Sequence, residues 1–131
     1  MSAQQPKFVS RSVADMLHVQ SLAMFGGMAG VRDDGLVESA LAAAENTWFY
    51  GRGDVYDIAA AYAFHLSQAQ AYFDGNKRTA VAAAFLFLEG NGVPVDCKHD
   101  MDIYDALIAI AERRMTKQEL AALLRSLFGA Q

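Results

Sequence analysis

The chain has a single cysteine, Cys97, so no internal disulfide can form, and a reducing, cytoplasmic setting is the simplest expectation. Proline occurs only at Pro6 and Pro94, which leaves the whole span between them free of helix breakers of that kind. Positive charge is scarce. Eleven Lys and Arg face fifteen Asp and Glu, a net of −4, which argues against non-specific nucleic-acid binding by this chain alone. It does not exclude a local basic site. No apolar run approaches the ~20 residues that a membrane-spanning helix needs. The start, MSAQQPKF, lacks an apolar run behind a basic head, so no signal peptide is expected.

What is present points to helices. The 131 residues are 53% hydrophobic, enough for a core without disulfides, and Ala and Leu, both good helix formers, are abundant. The expected fold is all-α, a single domain over 1–131 of about six helices around a buried central one, with 1–7 loose. Ser10 or Ser12 can cap a first helix to about Met24, which Gly26, Gly27 and Gly30 then break. Asp33 or Asp34 caps a second helix. Asn46 to Asp54 reads as a loop whose Trp48, Phe49 and Tyr50 can line a binding surface or fold back over the core. Asp54 or Asp57 starts a third helix to about Ala71. The central helix ends at Gly90 or Gly92. Val93 to Val95 is extended, Asp100 or Asp102 opens a fifth helix to about Arg114, and Thr116 with Glu119 forms a capping box for the last.

The polar turn at 70–78 is the distinctive stretch. It precedes TAVAAAFLFL at 79–88, apolar around nearly its whole circumference, as a helix buried on all sides is. Lys77 and Arg78 fall in the first turn of that helix, where a cation opposes the dipole by roughly 0.3–1 kcal/mol. An anion over the helix start removes the conflict, since free N–H groups and both cations then face it. Gly75 lets the backbone approach a phosphate, and Asp74 can hold a divalent cation against it. The plainer alternative is an ordinary turn in which Asp74 or Asn76 caps the helix and the cations are solvated.

Asp74, Gly75, Asn76, Lys77 and Arg78 resemble the signature of the Fic/Doc family, in its Doc (death-on-curing) branch, whose pattern is His-x-Phe-x-Asp/Asn-Ala/Gly-Asn-Lys-Arg. Tyr72 stands where the pattern has Phe, and Gln70 where it has its catalytic His. Gly26-Gly27 with Gly30 to Asp33, Gly35 to Ala40 and Asn46 to Gly51 also look like Doc-branch sequence, so the resemblance covers roughly 8–128. It implies a Fic/Doc-like helical fold and a toxin that transfers the γ-phosphate of ATP to a hydroxyl of a translation factor such as EF-Tu, arresting translation. It further implies that Asn76, Lys77, Arg78 and the amides of 75–77 hold phosphates, that Asp74 orients the hydroxyl or a Mg²⁺, and that Gln70 occupies the general-base position. An amide accepts no proton near neutral pH, and losing a general base costs a factor of about 10²–10⁴. Alternatives are a Fic-type AMP transferase, or an inactive module that binds nucleotide and an antitoxin. The resemblance places the aromatic loop near the nucleotide and target site.

Many relatives in the family carry their own inhibitory helix, Ser/Thr-x-x-x-Glu-Gly/Asn. Here Glu45-Asn46 has Leu41 at the first position and Glu89-Gly90 has Phe85, so neither fits. The resemblance then implies a separate antitoxin chain, Phd-like, that folds on binding as an amphipathic helix in a groove. Among the remaining candidates, Cys97, His99 and Asp100 lack the second ligand pair that a metal site needs. His18 and His65 sit within helices as structural residues. His65 lies about 140° around the axis from Gln70 and does not replace the base.

Overall fold

A computed structural model describes residues 4–129. Its six α-helices bear out the all-α expectation: α1 Arg11–Phe25, α2 Asp34–Phe49, α3 Val55–Ala69, α4 Asn76–Gly90, α5 Asp100–Ala111 and α6 Lys117–Phe128. A 3-10 turn, Cys97–His99, precedes α5. Local capping sets most of the boundaries. The Ser10 hydroxyl accepts from Val13 N, and the Asp33 carboxylate from Leu36 N. Asp54 with Asp57, and Thr116 with Glu119, form reciprocal capping boxes. Residues 1–3 of the segment expected to be loose lie outside the described residues. Lys7 is fixed in both directions by the Asn91 side chain, which accepts from Lys7 N at 2.8 Å and donates to its carbonyl at 3.0 Å.

Two helices, rather than one, occupy the middle. α3 packs on α2, α4, α5 and α6, and buries Ile58 to Ala63, Leu66 and Ser67. Ala59 to Ala61 are fully buried, which small side chains allow on a helix packed on several sides. α4 buries Thr79 to Val81, Ala83 to Phe85, Phe87 and Leu88, leaving Ala82 half-buried and Leu86 open on one side. Burying each large apolar side chain contributes about 1.5–3 kcal/mol before conformational entropy is counted.

Two expectations need correction. α2 continues through Phe49, so only 50–54 is loop. Trp48, half-buried, packs against the core and the exposed Phe49 meets Phe8 with ring centroids 5.8 Å apart, and these contacts carry the helix past Asn46. That loop also sits far from the 70–75 turn. It joins the start of α3 to the end of α2, while the turn follows the other end of α3, roughly 20 Å away at 1.5 Å per residue. The aromatic loop therefore does not line the candidate site.

Candidate functional site

The turn from Gln70 to Gly75 links the C-terminus of α3 to the N-terminus of α4. Two left-handed residues shape it: Gln70 (φ 54°) ends α3, and Gly75 (φ 73°) precedes α4. Glycine suits the second position because that backbone conformation costs it nothing. Neither Asp74 nor Asn76 caps α4, contrary to the plainer reading of the turn. The Asp74 carboxylate accepts instead from Gly75 N at 3.2 Å and from Met28 N at 3.1 Å. Asn76 is buried, and its amide pins the turn, accepting from Tyr72 N at 3.0 Å and donating to Tyr72 O at 2.9 Å. Its side chain is thereby committed to the backbone, and what it can offer a phosphate is its N–H.

Among the described residues, the N–H groups of Asn76, Lys77 and Arg78 meet no acceptor, and the first bond along α4 runs from Thr79 N to Gly75 O at 3.0 Å. Lys77 is half-buried, and its ammonium makes no hydrogen bond or ion pair among those residues. Arg78, also half-buried, has its guanidinium 3.9 Å from the ring centre of Phe25 and 4.8 Å from that of Tyr104. No acceptor among the described residues meets its N–H donors. Three open amides and two cations without a carboxylate partner thus share the first turn of a buried helix, a combination suited to an anion, with the Arg78 guanidinium held between the Phe25 and Tyr104 rings on the side of α1 and α5. The hydroxyl of Thr79, buried in the same first turn, has no protein partner among the described residues.

Sequence reasoning missed what holds this turn from outside. The glycine-rich segment between α1 and α2 runs antiparallel to it, with a single β-bridge between Val31 and Tyr72. Arg32 N and Asp33 N donate to Ala71 O at 2.8 and 3.1 Å, and Phe73 N donates to Gly30 O at 3.2 Å. The Arg32 guanidinium donates through Nε and a terminal nitrogen to Gln70 O, at 2.8 and 2.5 Å. Gly27 allows the close approach: a Cβ there would stand 3.1 Å from an Asp74 carboxylate oxygen. Beneath the turn, buried His18 stacks on Tyr72 with centroids 4.0 Å apart and donates from Nε2 to Asp74 O at 2.8 Å. The Tyr72 hydroxyl donates to Asp15 at 2.8 Å, and Asp15 is in turn bound by Arg11, which also holds Asp34 and Glu38. Burial and the Asp15 carboxylate push the Tyr72 phenol well above its ordinary range, so it stays a donor. The sequence signal for this layer was a hydroxyl at a position where the pattern has Phe.

Gln70 itself is exposed, and its amide turns back to donate to Ser67 O at 3.1 Å. His65 does not approach it but accepts from Lys117 at 3.3 Å across the α3–α6 contact. Among the described residues no group of three His, Cys, Asp or Glu could hold a metal, Cys97 to Asp100 included. No helix among them is long and apolar enough to cross a membrane. Beside the site, α1, α4 and α5 border an apolar cleft of about 410 Å³ lined by Leu17, Met24, Val81 and Phe85 among others, with Arg78 at one end of its α4 wall and Glu89 at the other.

The Fic/DOC family profile matches residues 8–88. A relative named Toxin Doc, from Mycolicibacterium smegmatis, is 40% identical over 113 residues, covering 82% of this chain and 85% of that one. A second, Protein kinase doc of Escherichia phage P1, is 29% identical over 115 residues, covering 87% and 90%. With the helical fold and the 74–78 run at the head of α4, these matches establish that the chain belongs to the Fic/DOC family, on its Doc branch.

Proposed function

We propose that this chain is the toxin of a toxin–antitoxin pair whose reaction moves the γ-phosphate of ATP to a hydroxyl of an EF-Tu-like translation factor, and that Gln70 slows that reaction in this form. The observation that carries the reading is the unsatisfied head of α4. The amides of Asn76 to Arg78 offer a polyphosphate preorganised donors, often the largest catalytic term, and Lys77 and Arg78, neither of them bound to a carboxylate, add positive charge beside them. The name of the phage relative, a protein kinase, supports phosphate transfer. In the reaction the hydroxyl oxygen attacks the γ-phosphorus, the bond to the β–γ bridging oxygen breaks, ADP departs, and the hydroxyl proton goes to a base. Gln70 occupies the base position and accepts no proton, which lowers the rate by a factor of about 10²–10⁴. Asp74 fits a Mg²⁺: its exposed carboxylate spends one hydrogen bond per oxygen, and water and phosphate would complete the shell. The ion would neutralise phosphate charge.

The cleft between α1, α4 and α5 fits an amphipathic helix from the antitoxin. Its α4 wall from Arg78 to Glu89 is about 16 Å long, some three helical turns, and its charges oppose an acidic residue at one end and a basic one at the other.

The test incubates this chain and the Gln70→His form with ATP and a purified translation factor and reads the adduct by mass. A phosphate adduct, formed much faster by the Gln70→His protein, supports the reading. An AMP adduct selects the AMP-transferase alternative. Nucleotide binding without any adduct from either protein selects the inactive module, and no nucleotide binding overturns all three.

A further inference from the structure

We propose that Arg32 is a positioning residue for the side chain at 70: it locks the left-handed backbone there and sets a fixed positive charge beside the base position. This rests on the reading of 70 as that position. Gln70 adopts φ 54°, ψ 39°, a conformation that favours glycine at the end of a helix. A glycine would relieve the backbone, yet the chain keeps a side chain there, whose amide donates to Ser67 O in the last turn of α3. Arg32 supplies the restraint. Its planar fork reaches the Gln70 carbonyl through two nitrogens, while its own N–H and that of Asp33 take the next carbonyl, Ala71 O. A lysine could supply charge there but not the fork. The guanidinium also lies where a cation is favoured, at the C-terminal end of α3.

The charge has a consequence for a histidine introduced at 70. A cation bound to a residue's own carbonyl is about 6 Å from its side chain, and at an exposed site that separation disfavours imidazolium by about half a pK unit or more. Arg32 thus keeps such a base neutral and able to accept a proton. Other charged groups on the surrounding elements include Asp33, Asp34 and Glu38 on α2 and its cap, Arg11 and Asp15 on α1, Asp74 in the turn, Lys77 in the first turn of α4 and Lys117 at the start of α6. They are common to every variant below, so differences between variants report on Arg32.

The experiment follows the ring resonances of the introduced imidazole by NMR through a pH titration in Gln70→His, Gln70→His/Arg32→Gln and Gln70→His/Arg32→Lys, with amide exchange at 71–73 in the same samples. The expected result is an imidazole pKa at position 70 about half a unit or more higher with Gln at 32 than with Arg. Lys at 32 should restore the pKa but not the slow exchange. Indistinguishable pKa values and exchange in all three proteins would overturn the proposal. Transfer from ATP is measured separately. If Gln70→His transfers nothing while the titrations differ as expected, the positioning role is supported and the base reading beneath it fails.

Discussion

Replacing Asn76 by alanine is expected to unseat the turn without touching any ligand. The amide makes two hydrogen bonds, at 3.0 and 2.9 Å, to the N–H and C=O of one residue, Tyr72, which is only 2% exposed. A net hydrogen bond contributes about 1 kcal/mol, and a buried backbone group left without a partner costs about 1–3 kcal/mol. Water reaching one of the two groups relieves part of that, so the expected loss is about 2–4 kcal/mol. For a domain of this size, a loss of about 3 kcal/mol lowers the melting temperature by roughly 10 °C. Asn76→Asp keeps the acceptor but sets a carboxylate against the Tyr72 carbonyl. Its folded-state pKa is then raised, so its destabilisation is full at neutral pH and shrinks in acid, as the protonated group regains a donor. Urea unfolding of the three proteins at pH 7 and pH 5 measures this. A loss below about 1 kcal/mol for Asn76→Ala, or an Asp variant indifferent to pH, would refute the assignment of Asn76 as the pin of the turn.

Three other outcomes follow from the same geometry. Lys77→Ala should weaken ATP binding about tenfold or more while leaving the melting temperature nearly unchanged, because the Lys77 ammonium makes no hydrogen bond or ion pair among the described residues; equal affinity by calorimetry would count against a phosphate at α4. Tyr72→Phe keeps the stacking on His18 and loses only the hydrogen bond to Asp15, which Arg11 still holds, so a cost of about 1 kcal/mol is expected in denaturant unfolding; a cost above about 3 kcal/mol would mean that the hydroxyl carries more of the site than its one bond. Burial, and then Lys117, lower the His65 pKa from its ordinary 6.5, so the stability it contributes is full above pH 6.5 and is lost as pH falls toward the folded-state value. Stability measured from pH 8 to 5 should lose that step in His65→Gln; an unchanged profile would contradict the pairing.

Much of the fold was legible because its signals are local. Ser10, Asp33, Asp54 and Thr116 cap helices within three residues of themselves, and the apolar run at 79–88 can only be buried. The 74–78 run was legible as chemistry that an isolated helix would not favour. What the sequence concealed is long-range. Arg32 binds a carbonyl 38 residues away, and His18 one 56 residues away, and neither contact leaves a periodic trace. Asn76 read as a cap or a phosphate ligand because both tasks suit its amide, and only the fold shows that Tyr72 takes it. Asn46 read as a break, but burial of Trp48 and the contact of Phe49 with Phe8 outweighed that local preference. The aromatic loop was misplaced because the direction of α3, not the composition of the loop, decides which end of the bundle it occupies.

Anion binding at the head of α4 is tested most directly by amide NMR during an ATP titration. The Asn76, Lys77 and Arg78 amide resonances should shift most, saturably, with the response lost in Lys77→Ala/Arg78→Ala. Shifts confined to other helices, or an unaltered response in the double variant, would contradict a phosphate site there.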